Sequence, residues 1–331
     1  MDLPAGHKVE RFRTELEKLW IEHDEGRTLG VAVSGGPDSL ALLLLAHAAL
    51  PGRVVAVTID HGLRAESARE ARFVHELCAD LAIPHLTRRV EVADGNLQDR
   101  ARAVRYRALY EAFLQLGTNT LATAHHADDQ AETVLMRLNR GSGVAGLAGI
   151  RAHRIDFNPE PLAEMLVVRP LLEWRKAELE EIVADAGIEP VRDSSNHDEQ
   201  FDRVRLRNVL RDADWLDPVA IARSARILQD AERIVASEVR KTYEECVFRE
   251  GEAIWFHPGH PFLLELETVE RILQEFGANP RGSAVATMVE ALRKDGAACL
   301  GGVMAKRGWH QKDSLTQVDA WKFEREPPRK S

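Results

Sequence analysis

Residues 34–39 read Ser-Gly-Gly-Pro-Asp-Ser, between one apolar run at 29–33 and another at 40–46. That order describes a strand, a tight glycine turn and the first turns of a helix. Its chemistry is anion binding. Gly35 and Gly36 let the backbone approach an anion with its N–H groups forward, and the helix behind adds its positive N-terminal end. Ser34 and Ser39 supply hydroxyl donors. Asp38 would repel a bare phosphate; it fits such a turn only with a divalent cation between, which makes it the candidate Mg²⁺ ligand. The turn is shorter than the kinase-type loop G-x-x-x-x-G-K-S/T and has no lysine to reach a γ-phosphate. It is not the dinucleotide fingerprint G-x-G-x-x-G either. A glycine turn that merely joins strand to helix is the plain alternative. The whole hexapeptide at such a junction favours a pyrophosphate site made of Ser34, Gly35, Gly36, Pro37, Asp38 and Ser39.

A second segment reads Ala124-His-His-Ala-Asp-Asp129. His125, Asp129 and Glu132 fall near one face of the helix entered there. Acids in a first helical turn also suit the dipole, with no function implied. Two adjacent histidines add the capacity to move protons or donate to phosphate. His125, Asp128 and Asp129 therefore join Asp38 as candidate catalytic residues. His61 and Arg64 follow a strand end and are candidates for nucleotide contact. Asp193, Ser194 and Asn196 fit either a site or an Asx turn.

Two arginine clusters stand out, Arg100, Arg102, Arg105 and Arg107, and Arg203, Arg205, Arg207 and Arg211. Basic clusters on an acidic body suggest a confined polyanion contact. The alternative is a solvated helix face partnered by Asp99, Glu111, Asp202 and Asp212. Trp20, Trp174 and Trp215 read as core or hinge packing rather than base-stacking platforms. Cys78, within the pattern Phe73, Leu77 and Leu81, reads as core.

The elements that must position these residues alternate. Strand-like runs at Gly30–Val33, Arg53–Ile59, His85–Val90 and Thr120–Thr123 separate helical patterns at Asp38–Leu50, Glu66–Leu81, Leu97–Leu116 and Asp128–Asn139. This predicts an α/β domain with a parallel sheet. Ligands bind such sheets outside the carboxyl ends of the strands, where three of the polar segments converge. The glycine-rich stretch 141–149 reads as a loop and 151–165 as a surface excursion. A helix is predicted over Arg175–Gly187. After a break near 212–217, Asp217-Pro218 opens a long amphipathic helix. Further helical patterns at Leu266–Phe276 and Ser283–Arg293 precede a short strand-rich tail. The chain thus divides into residues 1–212, a catalytic domain, and 213–331, a second and mostly α-helical domain for substrate.

Composition bounds the class. A chain of 331 residues, 44% hydrophobic and 29% charged, is ordinary for a globular protein of two domains. No apolar stretch is long enough for a membrane span and no signal segment is read, so a cytoplasmic location is expected. Cys78, Cys246 and Cys299 form no close pair, which argues against a cysteine-ligated metal or cluster. A net charge of −9 speaks against a general nucleic-acid binder.

Together these segments resemble the tRNA(Ile)-lysidine synthase family, within the N-type ATP pyrophosphatases with a PP-loop. The resemblance runs from about Leu29 to Leu210. It is carried by Ser34–Ser39, Asp60-His-Gly-Leu-Arg64, Ala101-Arg-Ala-Val-Arg-Tyr106, Thr123-Ala-His-His-Ala-Asp-Asp-Gln-Ala-Glu-Thr133, Arg140-Gly-Ser-Gly-Val-Ala-Gly-Leu147, Arg169-Pro-Leu-Leu172 and Asp193-Ser-Ser-Asn196. Longer members of that family carry an additional C-terminal domain. The resemblance implies an adenine-nucleotide α-hydrolase-like fold. It also implies a ligase that uses ATP and Mg²⁺ to join free L-lysine to C2 of the wobble cytidine of the CAU-anticodon isoleucine tRNA, through an adenylated cytidine. On that reading Ser34, Gly35, Gly36 and Ser39 hold pyrophosphate, Asp38 binds Mg²⁺, and His125, Asp128 and Asp129 organise the metal or the lysine. Arg105, Arg203 and Arg207 contact tRNA. Monomer and homodimer both stay open. tRNA thiolation, small-molecule amidation and an ATP-gated binding module are the rival functions. The cysteine pattern counts against the first and the arginine clusters against the second.

Overall fold

A computed structural model describes residues 2–20, 26–60, 67–90, 97–159, 162–191, 202–213, 215–294, 296–311 and 316–326. In chain order the elements are α1 (Gly6–Leu19), β1 (Leu29–Ala32), α2 (Pro37–Ala49), β2 (Val54–Asp60), α3 (Ser67–Asp80), β3 (His85–Arg89), α4 (Leu97–Gln115), β4 (Thr120–Ala122), α5 (Ala127–Asn139), α6 (Val144–Leu147), β5 (His153–Pro159), β6 (Leu162–Val168), α7 (Lys176–Asp185) and α8 (Asp202–Asp212). They continue through α9 (Pro218–Cys246), β7 (Val247–Glu250), β8 (Ala253–Phe256), α10 (Phe262–Glu275), α11 (Gly282–Arg293), β9 (Ala297–Leu300), β10 (Val303–Gln311) and β11 (Gln317–Arg325). Two compact units result, one of Met1–Met136 with Gly149–Arg226, the other of Arg137–Ala148 with Ile227–Ser331.

The first unit is built on a six-stranded sheet ordered β3-β2-β1-β4-β6-β5. Five strands run parallel, and β5 pairs antiparallel with β6 at the edge. A parallel sheet is covered on both faces, so its strands are apolar throughout rather than alternating; Val54, Val55, Ala56 and Val57 are all buried. One face packs Leu40–Ala46 of α2 with Phe12, Leu16, Trp20, Trp174 and Ile182. The other packs Tyr106, Leu109, Tyr110 and Phe113 of α4. Gly30 on central β1 is required by that packing, since a Cβ there would stand 2.5 Å from the Phe113 ring.

The four expected strands are present. The excursion expected at 151–165 is instead β5 and the start of β6, and the segment 141–149 contains the single turn α6. Trp20 and Trp174 are buried as expected, whereas Trp215 is 79% exposed. Its place in a surface turn, away from either apolar core, overrides the packing role expected of it.

In the second unit, helices α10 and α11 cover a five-stranded antiparallel sheet ordered β7-β8-β11-β10-β9. The expected helices are there, but so is a full sheet where only a short strand-rich tail was expected. Phe256, Val269, Ile272, Val289, Val303, Trp321 and Phe323 form its core. Buried Glu265 accepts from the Gly259 and His260 N–H groups and pairs with Arg293 at 2.7 Å. Among the described residues no helix is long and apolar enough to cross a membrane.

Candidate active site

Strand order reverses at β1. The chain runs outward through β2 and β3 on one side and through β4 and β6 on the other. The carboxyl ends of β1 and β4 therefore flank a crevice at the topological switch point, where doubly wound sheets bind ligands. The 34–39 turn leaves β1 there, and Thr123–Asp129 leaves β4.

The turn is tight and held by its own hydrogen bonds. Gly35 has φ +84°, and a Cβ added to it would meet Val191 Cγ2 at 3.2 Å. The Gly35 carbonyl accepts from the Val191 N–H at 3.0 Å. Gly36 caps α2 with Pro37 at the first helical position, a residue that has no N–H to leave orphaned. Ser39 Oγ lies 3.1 Å from the Ser34 hydroxyl and donates to the Gly36 carbonyl at 3.0 Å. The two serines thus lock the turn while remaining within it.

Across the crevice the organising side chain is His126, only 4% exposed. Its Nε2 lies 3.5 Å from Asp38 and 3.4 Å from Asp129, and its Nδ1 lies 3.6 Å from Asp128. Burial disfavours the charged ring. Hydrogen bonds to Asp128 and Asp38 and the charge of Asp129 outweigh burial, and the imidazole pKa is pushed up to about 10. The same exchange acts on Asp128. Burial opposes its ionisation, but His126, the Lys176 N–H at 2.9 Å and the Arg175 charge hold its carboxyl below the ordinary range.

His126 stands immediately before α5. Its N–H donates to Asp129 Oδ2 at 3.1 Å, and the Asp129 N–H approaches its Nδ1 at 3.4 Å. The first of these is one half of a capping box, with Asp129 at the third helical position. The charged ring presents its Nδ1–H to Asp128 and has no lone pair there to accept the Asp129 N–H. Helix α5 begins at Ala127, so His125 lies outside it and contacts Thr123 Oγ1 at 3.0 Å. Sequence spacing set His125 on a face with Asp129 and Glu132; in the structure the ring that lies against Asp129 is His126. The signal for His126 was its position three residues ahead of an acid at a helix start.

Glu132, one turn on, is buried and takes Arg207 of α8 in a two-point pair, Nε to Oε1 at 2.7 Å and Nη2 to Oε2 at 3.2 Å. Glu132 raises the Arg207 pKa above its ordinary value. Arg207 therefore belongs to the cluster of Asp38, Asp129 and Glu132. Arg105 lies with its guanidinium 5.9 Å from the Tyr106 ring. His61, Arg64 and residues 193–196 lie outside the described residues, as does the side chain of Arg203.

One buried atom bears on a cation. Asp38 Oδ1 is buried with no hydrogen-bond partner. Among the described residues no three His, Cys, Asp or Glu side chains are arranged to hold a metal by themselves. Mg²⁺ needs no such set, because it takes one or two carboxylates and draws its other ligands from phosphate and water. The unpartnered Asp38 oxygen fits such an ion, and Asp38 is the residue that would hold it.

Residues 8–213 match the sequence profile of the PP-loop domain family. The chain is 40% identical to the tRNA(Ile)-lysidine synthase of Novosphingobium aromaticivorans over 97% of its own length and 94% of that relative. It is 38% identical to the tRNA(Ile)-lysidine synthase of Zymomonas mobilis over 91% and 89%. Among solved structures, the U34-tRNA thiolase of Methanococcus maripaludis superposes with a TM-score of 0.53 at 15% identity, covering 67% of this chain and 79% of that one, a likeness of fold alone. With a profile that matches residues 8–213 and relatives matched nearly end to end, the chain is an enzyme of the tRNA(Ile)-lysidine synthase family.

Proposed function

We propose that the chain ligates free L-lysine to C2 of the wobble cytidine in the CAU anticodon of isoleucine tRNA, consuming ATP and releasing AMP and pyrophosphate. The observation that carries this is the pairing, at one switch point, of a lysine-free pyrophosphate turn with the cluster of Asp38, His126, Asp128 and Asp129.

In the first step the cytidine O2 attacks the α-phosphorus. The bond to the β-phosphate breaks, pyrophosphate leaves with the electron pair, and AMP stays on O2. Ser34, Gly35, Gly36 and Ser39 bind the leaving pyrophosphate at the start of α2. Asp38 would hold Mg²⁺, which when bound neutralises charge on the phosphates. In the second step the lysine ε-amine attacks C2, the C2–O2 bond breaks and AMP departs with the oxygen. The amine must shed a proton. His125 or Asp129 would act as the base. Burial holds the Cys78 thiol up at about 12, so it is no nucleophile for a thiolation route. Residues 1–212 would carry this chemistry, with Arg105, Arg203 and Arg207 toward tRNA, and 213–331 would add tRNA contacts.

The test is incubation with labelled lysine, ATP and the tRNA. Label entering RNA with one AMP and one pyrophosphate per lysine supports the reading. ATP binding without turnover, or ATP cleavage with no lysine in RNA, overturns it. Asp38→Asn should abolish both steps.

A further inference from the structure

Trp215 has no part in the chemistry above, yet it is 79% exposed. An indole is a large apolar surface to leave in water. Backbone hydrogen bonds flank it on both sides. The Ala213 N–H extends α8 by donating to the Val209 carbonyl at 2.9 Å, and the Leu216 N–H closes a turn on the Ala213 carbonyl at 3.0 Å. Asp217 then caps α9, accepting from the Val219 N–H at 3.0 Å and pairing with Arg175 at 3.2 Å. The indole therefore stands between two hydrogen-bonded helix ends, and with few rotatable bonds it presents a flat face at low entropic cost. Val209, on the preceding helix, is exposed as well.

The same helix leads to the site. Arg207 anchors α8 on Glu132, and Arg203, Arg205 and Arg211 share its sequence. Five helical residues and a three-residue turn put Trp215 within about 18 Å of Arg207 along the chain. A wobble base must leave its stack to be reached by chemistry. Its neighbours in the loop then lose a stacking face, and unpaired RNA bases find a replacement on exposed aromatic side chains.

We infer that Trp215 is the stacking platform for an unpaired base beside the wobble position. This rests on the lysidine-forming reading and deepens it. The test uses the full chain as wild type, Trp215→Ala and Trp215→Phe, with CAU-anticodon isoleucine tRNA and its anticodon stem-loop. Trp215→Ala should raise KM for tRNA about tenfold and leave kcat at saturating tRNA and KM for ATP and lysine unchanged, while Trp215→Phe restores most of the affinity. The stem-loop should quench indole emission in the wild type, and Trp215→Phe should lose that quench. An unchanged KM in Trp215→Ala, or a quench that persists in Trp215→Phe, overturns the inference. So does altered sedimentation of Trp215→Ala with unchanged KM, which would place a second copy of the chain on the indole. If wild type forms lysidine and the variants match it, stacking alone fails. The emission titration needs no turnover, so it decides the stacking even where no lysine enters RNA.

Discussion

A buried imidazole among three carboxylates is stable only if their charges answer one another. Asp38, Asp128 and Asp129 repel each other in a crevice of low dielectric, and His126 in its charged form is their common counter-ion. It also fixes where the carboxylates point, since each is tied to one of its two nitrogens. His126→Gln keeps the bulk and one donor but removes the charge. It should lower stability by about 2 kcal/mol, read from the urea midpoint, and lower kcat on the order of a hundredfold through misplaced carboxylates. Near-normal kcat would show that the cluster holds its geometry without the ring. At this scale the sequence revealed the acids and their helix. It did not reveal which histidine serves them, because that depends on the residue that precedes the first turn of α5 at Ala127, and helix starts are set by capping contacts rather than by periodicity.

Elements carry the site by aiming strand ends and helix starts at one crevice. The sharpest demand falls on Gly35, whose φ of +84° belongs to the left-handed region and whose missing Cβ leaves room for Val191. Gly36 has φ −76°, and a Cβ there would meet only Ser34 Oγ at 3.6 Å. Gly35→Ala should therefore cost about 1–2 kcal/mol and distort the turn. Gly36→Ala should leave thermal stability close to wild type. Equal melting temperatures for the two variants would show that the turn relaxes freely. The alternating parallel strands were legible because both-face burial makes them apolar runs. Strand β5 was not, for the opposite reason. Its period-two pattern points Ile155 and Phe157 to solvent, while Asp156, bonded to Tyr110 and Arg154, faces helix α4. An inverted strand of this kind looks like a surface excursion.

On the scale of the molecule, the two units are not two consecutive halves of the sequence. Residues 137–148 belong with the later unit, where Arg137 donates to the Gly146 carbonyl and Gln229 to the Ala148 carbonyl. Such pairing across more than eighty residues leaves no trace in local patterning. Stability of the whole fold also has a pH dependence that no motif announces. His85 on β3 is half-buried, with Thr58 Oγ1 at 2.9 Å. Burial, then the charge of His75, lowers its pKa to about 4. The unfolded chain takes up a proton near the ordinary histidine value, well before the native ring does. Below that value the unfolded state binds more protons, so stability falls as pH drops through the window from about 6.5 to about 4. The loss from this group alone should be of order 2 kcal/mol between about pH 7.5 and about pH 5. His85→Gln keeps a partner for Thr58 and removes the titration. Urea unfolding at the two pH values should therefore show a smaller pH-dependent loss in the variant than in the wild type. Equal losses would mean that the ring accepts its proton in the folded state and that acid sensitivity arises elsewhere.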